Sequence, residues 1–254
     1  MQIYYIVVIF IFGIVLGSFY NVVGYRVPKG ESLIKPSSHC TKCGHKLGAS
    51  ELVPIFSWLF LGGKCKNCKD KISSFYPIFE AITGILFVVS YLIYGFSIEF
   101  IISITFVSMA LIIIISDYQT FIIPDEVLIF FGILLFIELT FKNGITNIFI
   151  PIFNGGISFV IMFLLKKLGD FLFKKESMGG GDIKLMIIIG MVLGWPMAVV
   201  TIFLASFIGL PISFYILLKN KTDIIPFGPF LCSAAIIILF SKIDINLLIE
   251  LLTF

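Results

Sequence analysis

Charge is what this sequence most lacks. Only 13% of its 254 residues are Asp, Glu, Lys or Arg, while 59% are hydrophobic and the mean hydropathy is +1.12. Soluble domains carry about 25% charged residues, so this chain has too few to cover a water-facing surface, which points to a polytopic membrane protein. Low-complexity tracts, clear sequence repeats and flexible linkers are also missing, which argues against solenoids and tethered modules. The pattern of a cleaved leader is absent too: nothing basic precedes the apolar run Ile3 to Val23 and no small-residue cleavage pattern follows it. That run is expected to be a retained span.

The few charges are unevenly spread. Nine of the 18 basic residues lie between Arg26 and Lys71, against the acids Glu31, Glu51 and Asp70, and a second basic set is Lys166, Lys167, Lys174 and Lys175. Basic loops stay cytoplasmic, and anionic lipid head groups account for both sets, so no nucleic-acid partner is expected. A crossing takes about 20 apolar residues. On that ruler the sequence predicts an all-α polytopic fold of eight spans, at roughly 3 to 23, 77 to 95, 98 to 116, 125 to 141, 147 to 165, 183 to 194, 197 to 218 and 228 to 241. The sixth is short and ends at Gly194-Trp195-Pro196, so a half-span held within the protein is the alternative there. Threaded from an external N-terminus, every lysine cluster falls inside, and Asp117 and Asp182 reach the same cytoplasmic face. Residues 244 to 254 are expected to form a short interfacial helix.

Cys40-Thr-Lys-Cys43 and Cys65-Lys-Asn-Cys68 stand 21 residues apart in the first cytoplasmic loop. Two such pairs supply the four thiolates of a tetrahedral zinc, which would fold a loop that has no core of its own. The rival, disulfides or a redox dithiol, fits poorly with a reducing cytoplasm. Four thiolates leave no open coordination position, so the zinc is read as structural. His39 and His45 flank the first pair and are alternative ligands or solvated neighbours, and Cys232 in the last span reads as a buried apolar thiol.

Ionisable groups at the edge of a span are costly to keep and are functional candidates by default. Met178-Gly179-Gly180-Gly181-Asp182-Ile183-Lys184 delivers a carboxylate to the mouth of an apolar helix, and its glycines suit positive φ or close backbone approach. Asp117 ends the third span, where the helix dipole disfavours a negative charge. Asp125 and Glu126, after Pro124, sit comfortably in a first helical turn. Two aspartates at one membrane edge can share a proton and hydrolyse a peptide bond, one activating water and the other donating a proton. The competing reading is a transporter using the same pair as a proton or cation relay, which would favour carboxylates near the bilayer midplane. Glu80 and Glu138, a turn or so inside their spans, are expected to meet polar partners between helices.

Together these residues resemble the bacterial type IV prepilin leader peptidases, bifunctional membrane aspartic proteases that also N-methylate the new pilin N-terminus. The resemblance rests on Gly17-Ser18-Phe19-Tyr20-Asn21, Pro36-Ser37-Ser38-His39-Cys40, Tyr76-Pro77-Ile78-Phe79-Glu80, Asp117 through Ile123-Pro124-Asp125, Gly179 to Leu185, and Pro226-Phe227-Gly228-Pro229-Phe230. It implies catalytic Asp117 and Asp182, S-adenosylmethionine as methyl donor, and prepilins or pseudopilins with basic leaders as substrates of a multi-pass protein of the inner membrane. It also implies three parts: residues 1–23 as first transmembrane helix, 24–76 as the methylation-associated zinc loop with Cys40, Cys43, Cys65 and Cys68, and 77–254 as the transmembrane peptidase core. Members that lack the cysteine loop often lack methylation, so the intact loop implies both activities here; cleavage without methylation is the nearer alternative. If charge guides the leader, Asp125, Glu126, Asp170 and Glu176 are the candidates. The family often has Gly where Ser177 stands here, a change expected to affect turn geometry more than chemistry.

Overall fold

A computed structural model describes residues 1–220 and 225–243, and every regular element among them is helical apart from two isolated bridges. Among the described residues, five helices are long and apolar enough to cross a membrane: Gln2–Lys29, Phe75–Tyr94, Ile98–Thr120, Ile145–Phe173 and Trp195–Ile216. The chain divides into two compact units, Met1–Phe96 and Ser97–Phe254. The expected interfacial segment 244–254 lies outside the described residues.

In the first unit, α1 (Gln2–Arg26) packs along α3 (Phe75–Tyr94), with a short helix α2 (Phe56–Phe60) in the loop between them. Small residues make the contact. A Cβ on Gly13 would lie 2.7 Å from Gly84 Cα, and one on Gly17 would lie 2.9 Å from Glu80 Cα. Helices in lipid gain nothing from hydrophobic exclusion, so close backbone approach of this kind is what joins them. Asn21 adds a polar tie, its Nδ2 donating to the carbonyls of Gly17 and Tyr76.

The second unit contains α4 (Ile98–Thr120), α5 (Asp125–Asn143), α6 (Phe149–Phe173), α7 (Gly180–Leu193), α8 (Trp195–Asn220) and α9 (Gly228–Ser241). α4 is its core element: Phe106, Met109, Ile112, Ile113 and Ile115 are all fully enclosed. Thr105 of α4 donates to Glu138 Oε1 of α5 at 2.8 Å, the interhelical partner the sequence led us to expect for that carboxylate. The short α7 has 14 residues, about 21 Å of helix, which is less than a bilayer core. It is flanked by α5, α6, α8 and α9, so its ends need not reach lipid. Gly155 of α6 and Gly190 of α7 admit the closest approach; a Cβ at Gly155 would lie 2.8 Å from the Ile187 carbonyl oxygen. At Gly194, with φ +83°, the chain turns directly from α7 into α8.

Candidate active site and metal centre

Three helix ends converge on the two aspartates of the second unit. Asp117 lies in the last turn of α4, which closes with Phe121 in the left-handed region (φ 57°) and its N–H on the Asp117 carbonyl at 3.0 Å. Such a cap turns the chain sharply, and the Ser116 hydroxyl holds the turn by donating to the Ile122 carbonyl. Ile123 is thereby pressed between two glycines: Cβ atoms would fall 2.9 Å from Ile123 Cβ at Gly181 and 3.0 Å from Ile123 Cδ1 at Gly228. Asp182 lies in the first turn of α7, and Gly228 is the first residue of α9.

Both carboxylates are buried, and each lies within electrostatic reach of the other. The Gly228 N–H donates to Asp117, and a Cβ at Gly228 would stand only 2.6 Å from Asp117 Oδ2. Asp182 receives the Gly179 N–H, while its Oδ1 is buried without a hydrogen-bond partner. Buried polar atoms are nearly always paired, so an orphaned carboxylate oxygen within electrostatic reach of a second carboxylate calls for a functional explanation. Cys232, one turn along α9 from Gly228, is buried and feels the charge of both aspartates. Its sequence reading as an isolated thiol left out this neighbourhood.

The glycine run works differently from the expectation of a positive-φ turn. None of Gly179, Gly180 and Gly181 has positive φ; Gly179 is the N-cap of α7 at φ −68°, and the other two open the helix. Only Gly181 is sterically required, by Ile123, whereas a Cβ on Gly180 would meet nothing within 4 Å. The loop before them is ordered by Asp170, whose Oδ1 accepts the Ser177 N–H at 2.7 Å and the Ser177 hydroxyl at 2.8 Å. Ser177 in turn needs room, since a Cβ on Gly169 would lie 2.7 Å from its Oγ. Of the acids considered for leader binding, Asp125 is paired with Lys184 at 2.7 Å and Glu176 with Lys166 at 3.4 Å. Glu126 is exposed.

The four cysteines of the first unit come together, with all Sγ atoms within 4.8 Å of one another. Tetrahedral zinc with bonds near 2.3 Å needs sulfur–sulfur edges of about 3.8 Å. Cys40 and Cys68 are 3.8 Å apart and Cys43 and Cys65 are 4.0 Å apart, so the donor set fits the ion. Each pair rides on the same knuckle: Cys40 N–H reaches the His45 carbonyl and Cys65 N–H the Asp70 carbonyl. The residue after each second cysteine is left-handed, Gly44 at φ 71° and Lys69 at φ 59°. N–H groups of Cys43 and Lys42 bring the Cys40 thiol down to about 6. At Cys68 the Asp70 N–H acts in the same sense, but desolvation and the other three sulfurs outweigh it and push the thiol up to about 12. Four sulfurs this close shed all their protons only when a cation takes their place. The histidines are not ligands here: His39 Nδ1 lies 2.9 Å from the Ser37 carbonyl, and His45 Nε2 lies 3.2 Å from Glu51.

Beside the cysteine knuckles is an open cavity of about 510 Å³ lined by Trp58, Gly62, Gly63, Lys64, Lys71 and Ser73, among others. Trp58 borders it with its indole N–H fixed on the Ile72 carbonyl at 3.0 Å.

Comparison with known proteins gives a consistent picture. Residues 11–94 match the bacterial peptidase A24 N-terminal domain, and residues 104–214 match the type IV leader peptidase family. The chain is 33% identical over 234 residues to a prepilin leader peptidase/N-methyltransferase of Bacillus subtilis (strain 168), covering 91% of this chain and 92% of that one. Proteins of the same name from Aeromonas salmonicida (strain A449) and Pseudomonas putida are 31% and 29% identical, each across 91% of this chain and 88% of the relative. No solved structure matches the chain.

Proposed function

The chain belongs to the type IV leader peptidase family, and from that membership we propose that it cleaves the leader peptide of type IV prepilins or pseudopilins and N-methylates the new N-terminal residue. It is an enzyme with peptidase and methyltransferase activity. Asp117 and Asp182 carry the hydrolysis. One carboxylate takes a proton from water as the oxygen attacks the scissile carbonyl. The other donates a proton to the developing oxyanion, and collapse of the tetrahedral intermediate expels the leaving amine with a proton from the dyad. The observation that carries this reading is the buried pair itself, within electrostatic reach of one another, with one oxygen of Asp182 unpartnered. A relay of ions across a bilayer would call for carboxylates near its midplane, whereas these two stand at helix ends.

Eight helices lie within the inner membrane in this reading, the short α7 enclosed among its neighbours, with 1–23 as the first, 24–76 as a cytoplasmic loop and 77–254 as the peptidase core facing the cytoplasm. Cys40, Cys43, Cys65 and Cys68 hold a structural zinc that keeps the loop folded. S-adenosylmethionine supplies an electrophilic methyl group. The loop cavity has a volume suited to a small molecule, and Lys64 and Lys71 offer cations to a carboxylate there. The test is a purified-protein assay on a prepilin-like substrate with labelled S-adenosylmethionine, comparing wild type with Asp117→Asn and Asp182→Asn. Cleavage by either variant at the wild-type rate sinks the dyad, and cleavage without label transfer reduces the function to peptidase alone.

A further inference from the structure

The loop of the first unit contains a stretch that, apart from Trp58 at the border of the loop cavity, neither the cysteine cluster nor the peptidase uses. Leu52-Val53-Pro54-Ile55-Phe56-Ser57-Trp58-Leu59-Phe60-Leu61 has ten residues and no charge. Its large side chains face outward: Leu52, Val53, Phe56 and Leu59 are exposed, and Phe60 is 87% exposed. A stretch this apolar is not left facing water without a reason.

Its height on the helix pair is fixed by one hydrogen bond. The Ile55 N–H donates to Glu80 Oε2 at 2.7 Å, and the Ser18 side chain of α1 bonds the same carboxylate. Ile55 takes φ +63° to make that contact, a conformation unfavourable for a β-branched residue. The Glu80 backbone is five residues, about 7.5 Å of helix, in from Phe75, and its side chain leans back toward the helix start. The Ile55 amide bonded to it therefore lies beside the first turns of a span rather than beyond its end. Segments at the boundary of head groups and acyl chains are buried by about 5–10 Å, with apolar side chains inward and basic ones toward the phosphates. The basic ones are present: Lys46, Lys66 and Lys69 are all exposed on the same loop.

We infer that residues 52–61 form a membrane-surface anchor, seated at the head-group boundary of the leaflet from which α1 and α3 emerge, with anionic phospholipid as the partner. Continuity with the lipid-facing helices through Glu80 and the basic surround select lipid as the occupant. The cysteine loop is therefore held against the bilayer at two points, through Glu80 and through Phe56 and Phe60. The inference rests on the multi-pass membrane reading and is independent of either catalytic assignment.

The chain has two tryptophans, Trp58 in this segment and Trp195 at the start of α8. Full-length Trp195→Phe, with Trp58 as sole emitter, is reconstituted into phosphatidylethanolamine–phosphatidylglycerol vesicles carrying lipids brominated high or low on the acyl chain. Quenching by about twofold or more is expected from the high bromines, and less from the low ones. Replacing phosphatidylglycerol by phosphatidylcholine should weaken it, and equal quenching would overturn the choice of anionic lipid. Phe56→Ser with Phe60→Ser should lower the quenching about twofold with metal content unchanged, the metal reporting that the loop still folds. If metal is lost, Phe60→Ser alone takes its place, and unchanged quenching in the metal-loaded variant overturns the anchor. Trp58→Phe, leaving Trp195, is the insertion control: if neither tryptophan is quenched by lipid, the membrane reading fails, and if Trp195 alone is quenched, the anchor fails. Loss of Trp58 lipid quenching when a prepilin helix is added also refutes the proposal, that result assigning the face to substrate.

Discussion

Gly228→Ala tests the architecture of the aspartate pair more sharply than removal of either carboxylate. The added methyl carbon would lie 2.6 Å from Asp117 Oδ2, and ordinary van der Waals contact begins at 3.4 Å. The carboxylate or the start of α9 must therefore shift by about 0.8 Å. Ile123 Cδ1, at 3.0 Å from the same methyl carbon, leaves it little room of its own to move. Overpacking of this kind costs about 1–3 kcal/mol, and a misplacement of about 1 Å at a reacting group can cost about 10²-fold in rate. We expect kcat for leader cleavage to fall between about tenfold and a hundredfold, or about 1.4–2.8 kcal/mol of barrier, with little change in KM because the added methyl displaces a reacting carboxylate. The assay is single-turnover cleavage of a prepilin-like substrate in vesicles, with Gly180→Ala beside it. A Cβ at Gly180 meets nothing within 4 Å, so that variant should cleave within about twofold of wild type and gain a few tenths of a kcal/mol in helix stability. Wild-type kinetics for Gly228→Ala, or equal losses in both variants, would refute the proposed steric control of Asp117.

Other outcomes follow from the same geometry. Cys40→Ser with Cys43→Ser should abolish bound zinc, read by atomic absorption, and make the loop protease-sensitive; retained metal refutes the four-sulfur site. Lys69→Gly relieves a left-handed backbone at the place where the first knuckle already has Gly44, and should stabilise the zinc-loaded loop by about 1 kcal/mol in thermal unfolding. Removing the exposed Asp125–Lys184 pair by Lys184→Gln should change stability by less than about 1 kcal/mol and become undetectable at high salt. Glu80→Gln leaves the Ile55 amide a weaker, neutral acceptor and should loosen residues 52–61 by about tenfold in amide exchange, with α3 unaffected.

The helices were legible because each apolar run is long and charges punctuate the ends. The run 77 to 95 became Phe75–Tyr94 and the run 228 to 241 became Gly228–Ser241. The cysteine cluster was legible because its spacing is local chemistry repeated twice. Approach of Asp117 to Asp182 could be inferred only as far as a shared face, since hydropathy orders spans along the membrane normal and says nothing of their neighbours. For that reason Gly228 went unassigned, although its N–H and missing Cβ shape the surroundings of Asp117. The same blindness hid the pairing of Asp125 with Lys184 and the hold of Glu80 on Ile55, contacts across 59 and 25 residues. The glycine run misled in one respect. Its composition suggested a turn, whereas Gly180 and Gly181 already belong to α7, and it is a neighbour from a different segment, Ile123, that forbids a side chain at Gly181.

Ser177 and Gly169 constrain one another through time. With serine at 177, the space over residue 169 is filled by its hydroxyl, which is bonded to Asp170. A serine at 177 is compatible with glycine at 169 and not with a side chain there, so the serine can be accommodated only where 169 is already glycine. Among related sequences the two positions should accordingly vary together, with side chains at 169 confined to those lineages that keep glycine at 177.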